Sequence, residues 1–272
     1  MSQHKTSRSP YRVQVLDRAL EILGVLGDRQ GDCGLAELCA ELSLHKSTIH
    51  RLIMVLEGHG LVEKNPDTGR YRLGLRLFEL GSKAIAVLDL REHSHPFLNQ
   101  ILEATQETVH FCMFDQGEVV YVEKLEPQRS VRLASRVGRR APAYCTSVGK
   151  AILAHLPEAE VNRIIRRSGL KRLTRNTITT RAALKAELKN VRARGCAIDD
   201  EENEEGVRCI GAAVRDHTSR PLAAISVSGP AFRLNKEKMG LIAKVVVRAA
   251  AALSQELGYV PEEEKSLRSL AS

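Results

Sequence analysis

Four apolar residues, Ile49, Leu52, Ile53 and Leu56, fall at i, i+3, i+4 and i+7, the spacing of one buried stripe on an α-helix. At about 100° per residue the opposite face carries Ser47, His50, Arg51 and Met54. The preceding segment from Leu35 reads as another short helix, separated from this one by a polar break at Ser43. Two short helices around a tight turn, the second with hydrogen-bonding side chains facing outward, are what a helix presented to the DNA major groove needs. An ordinary surface helix of a bundle shows the same pattern. The residues that follow Met54 decide between the two.

After Gly58-His59-Gly60 the chain reads L-V-E-K-N-P-D-T-G-R-Y-R-L. This pattern predicts two short strands around the turn Asn65-Pro66-Asp67-Thr68-Gly69. Upstream, Leu16, Ala19, Leu20, Leu23 and Leu26 follow helical spacing as far as Gly27. Three helices and a hairpin make a winged helix-turn-helix. Arg70, directly after the turn glycine, sits where a wing reaches a neighbouring phosphate or the minor groove. Gly74 to Leu90 reads as one more helix, with more apolar surface than a linker in water should show. It is expected to connect two domains and to pack on a second subunit.

A chain of 272 residues, 43% of them hydrophobic, has room for a small domain and a larger one. No apolar run approaches the roughly 20 residues of a membrane span, and the polar N-terminus lacks the apolar stretch of a secretion signal. A cytoplasmic protein is expected. The six cysteines form neither a C-x-x-C pair nor a Cys/His cluster at zinc spacing, so reduced thiols are expected well ahead of a structural zinc; no cofactor is expected. The net charge of +8 is poor evidence for nucleic-acid binding, because of where the charge lies. Residues 129–195 carry 17 Lys and Arg against 3 Asp and Glu, whereas residues 1–76 carry 11 against 9. Phosphate contacts in the N-terminal region must come from a local set such as Lys46, Arg51, Lys64, Arg70 and Arg72.

Beyond the expected connecting helix, Pro96 is expected to open a helix running to Glu107. Strands are expected at Val109 to Phe114, Glu118 to Leu125 and Val131 to Val137, with Gln116-Gly117 as a turn. Thr146 and Ser147 precede an apolar helix whose free N–H groups point toward any nearby anion; plain capping gives the same sequence. The neighbouring Gly149-Lys150 is not a Walker A loop, since Tyr144 and Ala151 occupy the positions that need glycine and Ser/Thr. Glu158 to Ser168 and Arg181 to Arg194 read as helices with solvated basic faces, the second capped by Thr180. An acidic run, Ile198 to Glu205, leads into a strand through G-V-R-C-I-G-A-A-V. Pro221 to Ser228 alternates as a further strand, with Ser226 and Ser228 on one face. Lys236 to Leu257 closes the chain as a helix burying Ile242, Val246, Ala249 and Leu253.

From about Tyr11 to Tyr259 the chain resembles the IclR family of bacterial transcriptional regulators. The resemblance is carried by H-K-S-T-I-H-R-L, N-P-D-T-G-R-Y-R-L-G-L-R-L-F-E-L-G, V-G-R-R-A-P-A-Y-C-T-S-V-G-K-A-I-L-A, I-D-D-E-E-N-E-E-G-V-R-C-I-G-A-A-V and A-A-I-S-V-S-G-P. Within the family, E-T-V-H, S-R-V-G-R-R and N-T-I-T-T look most like the branch containing the 2-keto-3-deoxygluconate regulon repressor. The resemblance implies an α+β protein: an N-terminal winged helix-turn-helix, a dimerising linker helix, and a C-terminal GAF-like effector domain with an antiparallel sheet flanked by helices. The corresponding bounds are a tail to residue 10, the DNA-binding domain at 11–74, the linker at 75–93, the effector domain at 94–260 and a second tail beyond.

With the outward face of the second helix and the basic wing, this resemblance makes Lys46, Ser47, Thr48, His50, Arg51 and Arg70 the expected DNA contacts on a palindromic operator. It implies a homodimer or tetramer, and an effector site at Leu133, Ser147, Val148, Asp199, Cys209, Ser226 and Ser228. Hydroxyls, a thiol and free N–H groups suit a small carboxylate such as a keto sugar acid. Asp199 then serves a hydroxyl rather than the carboxylate. Ser147-Val148 replaces the smaller Gly-Ala of glyoxylate- and pyruvate-sensing members, and Cys145 stands where another side chain is common. These departures keep an aromatic-acid effector open. An enzyme with Cys145, Cys209 or a Ser/His pair as nucleophile is the rival class, and no nucleophile elbow, metal triad or paired-carboxylate motif supports it.

Overall fold

The computed structural model describes residues 13–29, 31–86, 90–129 and 133–260. The chain divides between Asp89 and Leu90 into two compact units.

The first unit comprises α1 (Gln14–Asp28), α2 (Leu35–Leu42), α3 (Lys46–Gly58), β1 (Val62–Lys64), β2 (Tyr71–Leu73) and α4 (Leu75–Ala86). Ile49, Ile53 and Leu56 of α3 pack with Ile22 and Leu26 of α1, Leu38 of α2, and Val62 and Tyr71 of the hairpin. Full burial of each such side chain stabilises the unit by roughly 1.5–3 kcal/mol. Between α2 and α3 the chain turns at Ser43, whose left-handed backbone (φ 53°) ends α2. The antiparallel pair β1–β2 gains a third partner where Cys33 exchanges two backbone hydrogen bonds with Tyr71. Gly74 allows the hairpin to rejoin the body, since a Cβ there would lie 2.1 Å from the Gly60 carbonyl oxygen. Leu16 and Leu20 of α1 and Leu75, Phe78 and Leu80 of α4 remain exposed.

The second unit comprises α5 (Leu90–Thr105), β3 (Thr108–Asp115), β4 (Glu118–Leu125), β5 (Arg140–Pro142), α6 (Ser147–Leu153), α7 (Glu158–Ser168), α8 (Arg181–Arg194), β6 (Ala197–Asp200), β7 (Val207–Arg215), β8 (Pro221–Pro230) and α9 (Lys236–Glu256). Its six strands form one antiparallel sheet in the order β5-β4-β3-β8-β7-β6. Strand alternation sends Val109, Phe111, Ile210, Ala212, Ile225 and Val227 to one face and Cys112 and Ala224 to the other. Helices α5 and α9 pack on the sheet and on each other. Cys112 and Ala224 share a core with Val148 and Ile152 of α6, Val161 of α7 and Leu184 of α8.

Two expectations are corrected, and one strand joins the sheet unannounced. The helix expected to open at Pro96 begins at Leu90, with the proline inside it. The buried stripe Leu90, Ser94, Leu98 and Ile101 runs straight across the proline, and its packing outweighs one lost backbone bond. The described part of the segment 131–137 is not a strand. Lys124 holds it by bonding the carbonyls of Leu133 (3.0 Å) and Ser135 (2.5 Å), and the strand beside β4 is Arg140–Pro142. The acidic run begins inside β6, which pairs with β7 from Ala197 to Asp200 and forms the sheet edge.

Candidate functional site

In the first unit, Lys46, Ser47, His50 and Arg51 are exposed on α3, opposite its buried stripe, and Thr48 is half-buried at the first turn. Among the described residues no ion pair occupies Lys46, His50 or Arg51. Arg70 is different. Its Nη2 bonds Glu37 Oε1 at 2.6 Å, and its Nε and Nη2 bond the Asp32 carbonyl at 3.1 and 3.0 Å. The hydrogen bond from Arg70, ahead of that from Arg29, holds the Glu37 carboxyl below its usual range. Asn65 tightens the same turn: its side-chain oxygen accepts from the N–H groups of Asp67 and Thr68, and its amide donates to Asp32 at 2.7 Å. The guanidinium expected to extend from the wing toward DNA thus braces the wing against α2.

In the second unit, strand register lines up one polar row across the sheet. Asp199 on β6 lies opposite Cys209 on β7, Cys209 opposite Ser228 on β8, and Ser226 opposite Gly211 on one side and His110 of β3 on the other. Alternation puts all of these on the α6 face. A Cβ on Gly211 would come within 2.9 Å of the Ser147 carbonyl carbon and 3.0 Å of the Val148 nitrogen. A side chain at 211 would therefore drive the start of α6 away from the row. Thr146 caps α6 through the N–H of Gly149 at 3.2 Å. Leu133 is half-buried, and its carbonyl is taken by Lys124. Register and packing thus bring together Ser147, Val148, Asp199, Cys209, Ser226 and Ser228.

His110 and Tyr121 join this set unannounced. His110 Nδ1 lies 3.3 Å from Ser228 Oγ and Nε2 lies 2.8 Å from Ser135 Oγ, while its ring meets Tyr121 edge to face at 5.0 Å. Burial, reinforced by the nearby Lys124 charge, lowers the His110 pKa to about 3, so the imidazole is neutral at physiological pH. The alternation of Thr108, His110 and Cys112 against Val109 and Phe111 is the signal that places it on this face.

Asp199 is 3% exposed, and its Oδ1 accepts from the N–H groups of Glu202 (2.8 Å) and Asn203 (3.3 Å). Burial pushes its carboxyl up to about 7 against the opposing pull of those bonds and of Lys150. Lys150, fully buried in α6, puts its ammonium on Glu202 Oε1, with Glu187 at 4.0 Å. Glu202 Oε2 is buried without a hydrogen-bond partner among the described residues. Burial raises the thiols of Cys145 and Cys209, which therefore stay protonated and poorly nucleophilic. Both His110 nitrogens face serine hydroxyls rather than a carboxylate, so the Ser/His pair lacks the third member of a hydrolytic triad. No group of His, Cys, Asp and Glu among the described residues is arranged to hold a metal ion.

Residues 15–66 match the IclR helix-turn-helix domain, and residues 82–255 match the family described as bacterial transcriptional regulator IclR C-terminal. The chain belongs to the IclR family. The HTH-type transcriptional regulator XynR of Escherichia coli (strain K12) is 35% identical over 247 residues, which cover 91% of this chain and 98% of XynR. The HTH-type transcriptional regulator KdgR of the same strain is 33% identical over 259 residues, 95% of this chain and 98% of KdgR. The crystal structure of the Thermotoga maritima IclR aligns with a TM-score of 0.77 at 36% identity, covering 91% of this chain and all of that one. This IclR-family protein is accordingly a DNA-binding transcriptional regulator with an effector-binding domain rather than an enzyme. No helix of the described residues is long and apolar enough to cross a membrane.

Proposed function

We propose that the protein represses a catabolic operon from a palindromic operator and releases it on binding a small carboxylate, a keto sugar acid of the 2-keto-3-deoxygluconate type. On this reading Ser47, Thr48, His50 and Arg51 read base edges or phosphates, Lys46 positions α3, and Arg70 sets the wing. The regulator acts in the cytoplasm as a homodimer or tetramer. The exposed apolar side chains of Leu16, Leu20, Leu75 and Phe78 support self-association.

The observation that carries the effector reading is the row Asp199, Cys209, Ser228 and Ser226 beneath Ser147 and Val148. It offers hydroxyls, a thiol and a carboxyl, and the two lysines nearest it among the described residues are already engaged: Lys150 by Glu202, and Lys124 by Glu126 and two carbonyls. Such a lining suits an acid rich in hydroxyl or keto oxygens. Its anionic end is received by N–H and O–H donors, and Asp199 in its acid form donates to an effector oxygen. The effector shifts operator occupancy by no more than its differential affinity for the two DNA-binding states.

Gel-shift titration on the promoter nearest the protein's own gene tests the DNA half; Arg51→Ala is expected to lose both affinity and sequence preference. Thermal-shift screening tests the effector half. 2-Keto-3-deoxygluconate is expected to raise the melting temperature and weaken the gel shift. A rise with aromatic acids alone would replace the sugar acid by an aromatic one.

A further inference from the structure

Resting on the reading of that row as the effector site, we infer that His110 is a specificity-determining residue that reads an uncharged hydroxyl or carbonyl oxygen of the effector. Three observations meet at this side chain. It is buried, 2% exposed, on β3 directly across from Ser226. Its two nitrogens lie against Ser228 of β8 and Ser135 of the segment after β4, at 3.3 and 2.8 Å. Its ring is oriented by the edge-to-face contact with Tyr121.

A neutral imidazole presents one donor and one acceptor, and both serine hydroxyls can rotate to give or accept a hydrogen bond. Of the two contacts the one to Ser228 is the longer, and Ser228 belongs to the row. An effector oxygen placed there can share Ser228 and His110 without leaving a buried polar atom unmatched. An effector with only methylene groups at that point removes a partner and supplies none. The penalty is that of an unpaired buried donor or acceptor, which is what makes hydrogen-bonding sites reject analogues lacking the matching group. A neutral ring is also the wrong group to hold a carboxylate by charge. His110 therefore selects along the effector's oxygenated chain, not at its acid end.

Titration calorimetry on the full-length protein with 2-keto-3-deoxygluconate and with hexanoate, equal in chain length and lacking the other oxygens, measures this selection. Wild type is expected to favour the keto sugar acid. His110→Phe, which keeps an aromatic ring beside Tyr121, is expected to cut that ratio by about tenfold or more, chiefly by weakening the keto sugar acid. His110→Gln, which keeps a donor and an acceptor, is expected to restore most of it. Should His110→Phe misfold, the ratio in His110→Gln against His110→Leu decides in its place. An unchanged ratio in the apolar variants, with keto sugar acid binding still lost in Ser228→Ala, overturns the role of His110 and leaves the site reading standing. Binding of neither acid by wild type overturns both.

Discussion

The ammonium of Lys150 meets the carboxylate of Glu202 inside the second unit, with the lysine fully buried and the glutamate nearly so. A charge withdrawn from water in this way is tolerable only while its partner is present. Lys150→Met is expected to destabilise the protein by about 3–5 kcal/mol, because it strands Glu202. The double variant Lys150→Met/Glu202→Gln should recover a large share of that loss. Urea unfolding of the two variants and of wild type checks the order. A single variant as stable as wild type would show that the pair adds nothing.

Asp199 ties stability to pH. Its carboxyl is pushed up to about 7 in the folded protein, mainly by burial, against about 4 in an unfolded chain. The folded state then holds the extra proton between those values, and stability falls as pH rises from about 4 to 7. The full span corresponds to about 4 kcal/mol at most. Asp199→Asn, which cannot ionise, should flatten this part of the curve and be relatively more stable at pH 7.5 than at pH 4.5. Thermal melts across that range would show parallel curves for the two proteins if Asp199 did not titrate there.

Arg70 and Arg51 should leave different signatures on DNA. Arg51 projects from α3 with no ion-pair partner among the described residues, whereas Arg70 is committed to Glu37 and the Asp32 carbonyl. Arg51→Ala is expected to lower the slope of log affinity against log salt by about one phosphate contact. Arg70→Ala should weaken binding through a loosened wing, with the slope unchanged and a stability loss of about 1 kcal/mol. A slope reduced by Arg70→Ala would place this guanidinium on a phosphate in the complex.

Gly211→Ala isolates the effector domain. The added methyl meets the backbone of Ser147 and Val148 at about van der Waals overlap, so α6 must retreat from the sheet. Effector-induced thermal shifts should disappear, while a folded N-terminal unit remains detectable as a separate transition. An unchanged effector response would mean that α6 absorbs the displacement without cost to the site.

The first unit was almost wholly legible in the sequence because its signals are local. Ile49, Ile53 and Leu56 announce a buried helix face, and Asn65 to Gly69 announces a turn whose hydrogen bonds are made within a few residues. What local pattern could not reveal was the engagement of Arg70, since Asp32 and Glu37 lie more than 30 positions away. In the second unit, Ser226 and Ser228 were readable from the period of two, and the start of α6 from its polar cap. For His110 the alternation along β3 gives the face but not the neighbours, and Tyr121 carried no signal of its own, because their company depends on which strands pair: β3 pairs with β8, more than 100 residues later. Lys150 was missed for the opposite reason. A lysine beside a glycine suggests a phosphate loop or a solvated surface, and only the folded chain supplies the buried Glu202 that makes its burial tolerable.

Asp199, Cys209, Ser226, Ser228 and His110 come from four different strands, each held in place by its own ladder of backbone hydrogen bonds. A change of side chain at one position alters the chemistry of the lining while the ladders, and so the other positions, stay where they are. If the polar row is the effector site proposed above, a scaffold of this kind lets a regulator acquire a new inducer one substitution at a time, keeping its fold and its operator while the signal it obeys is exchanged.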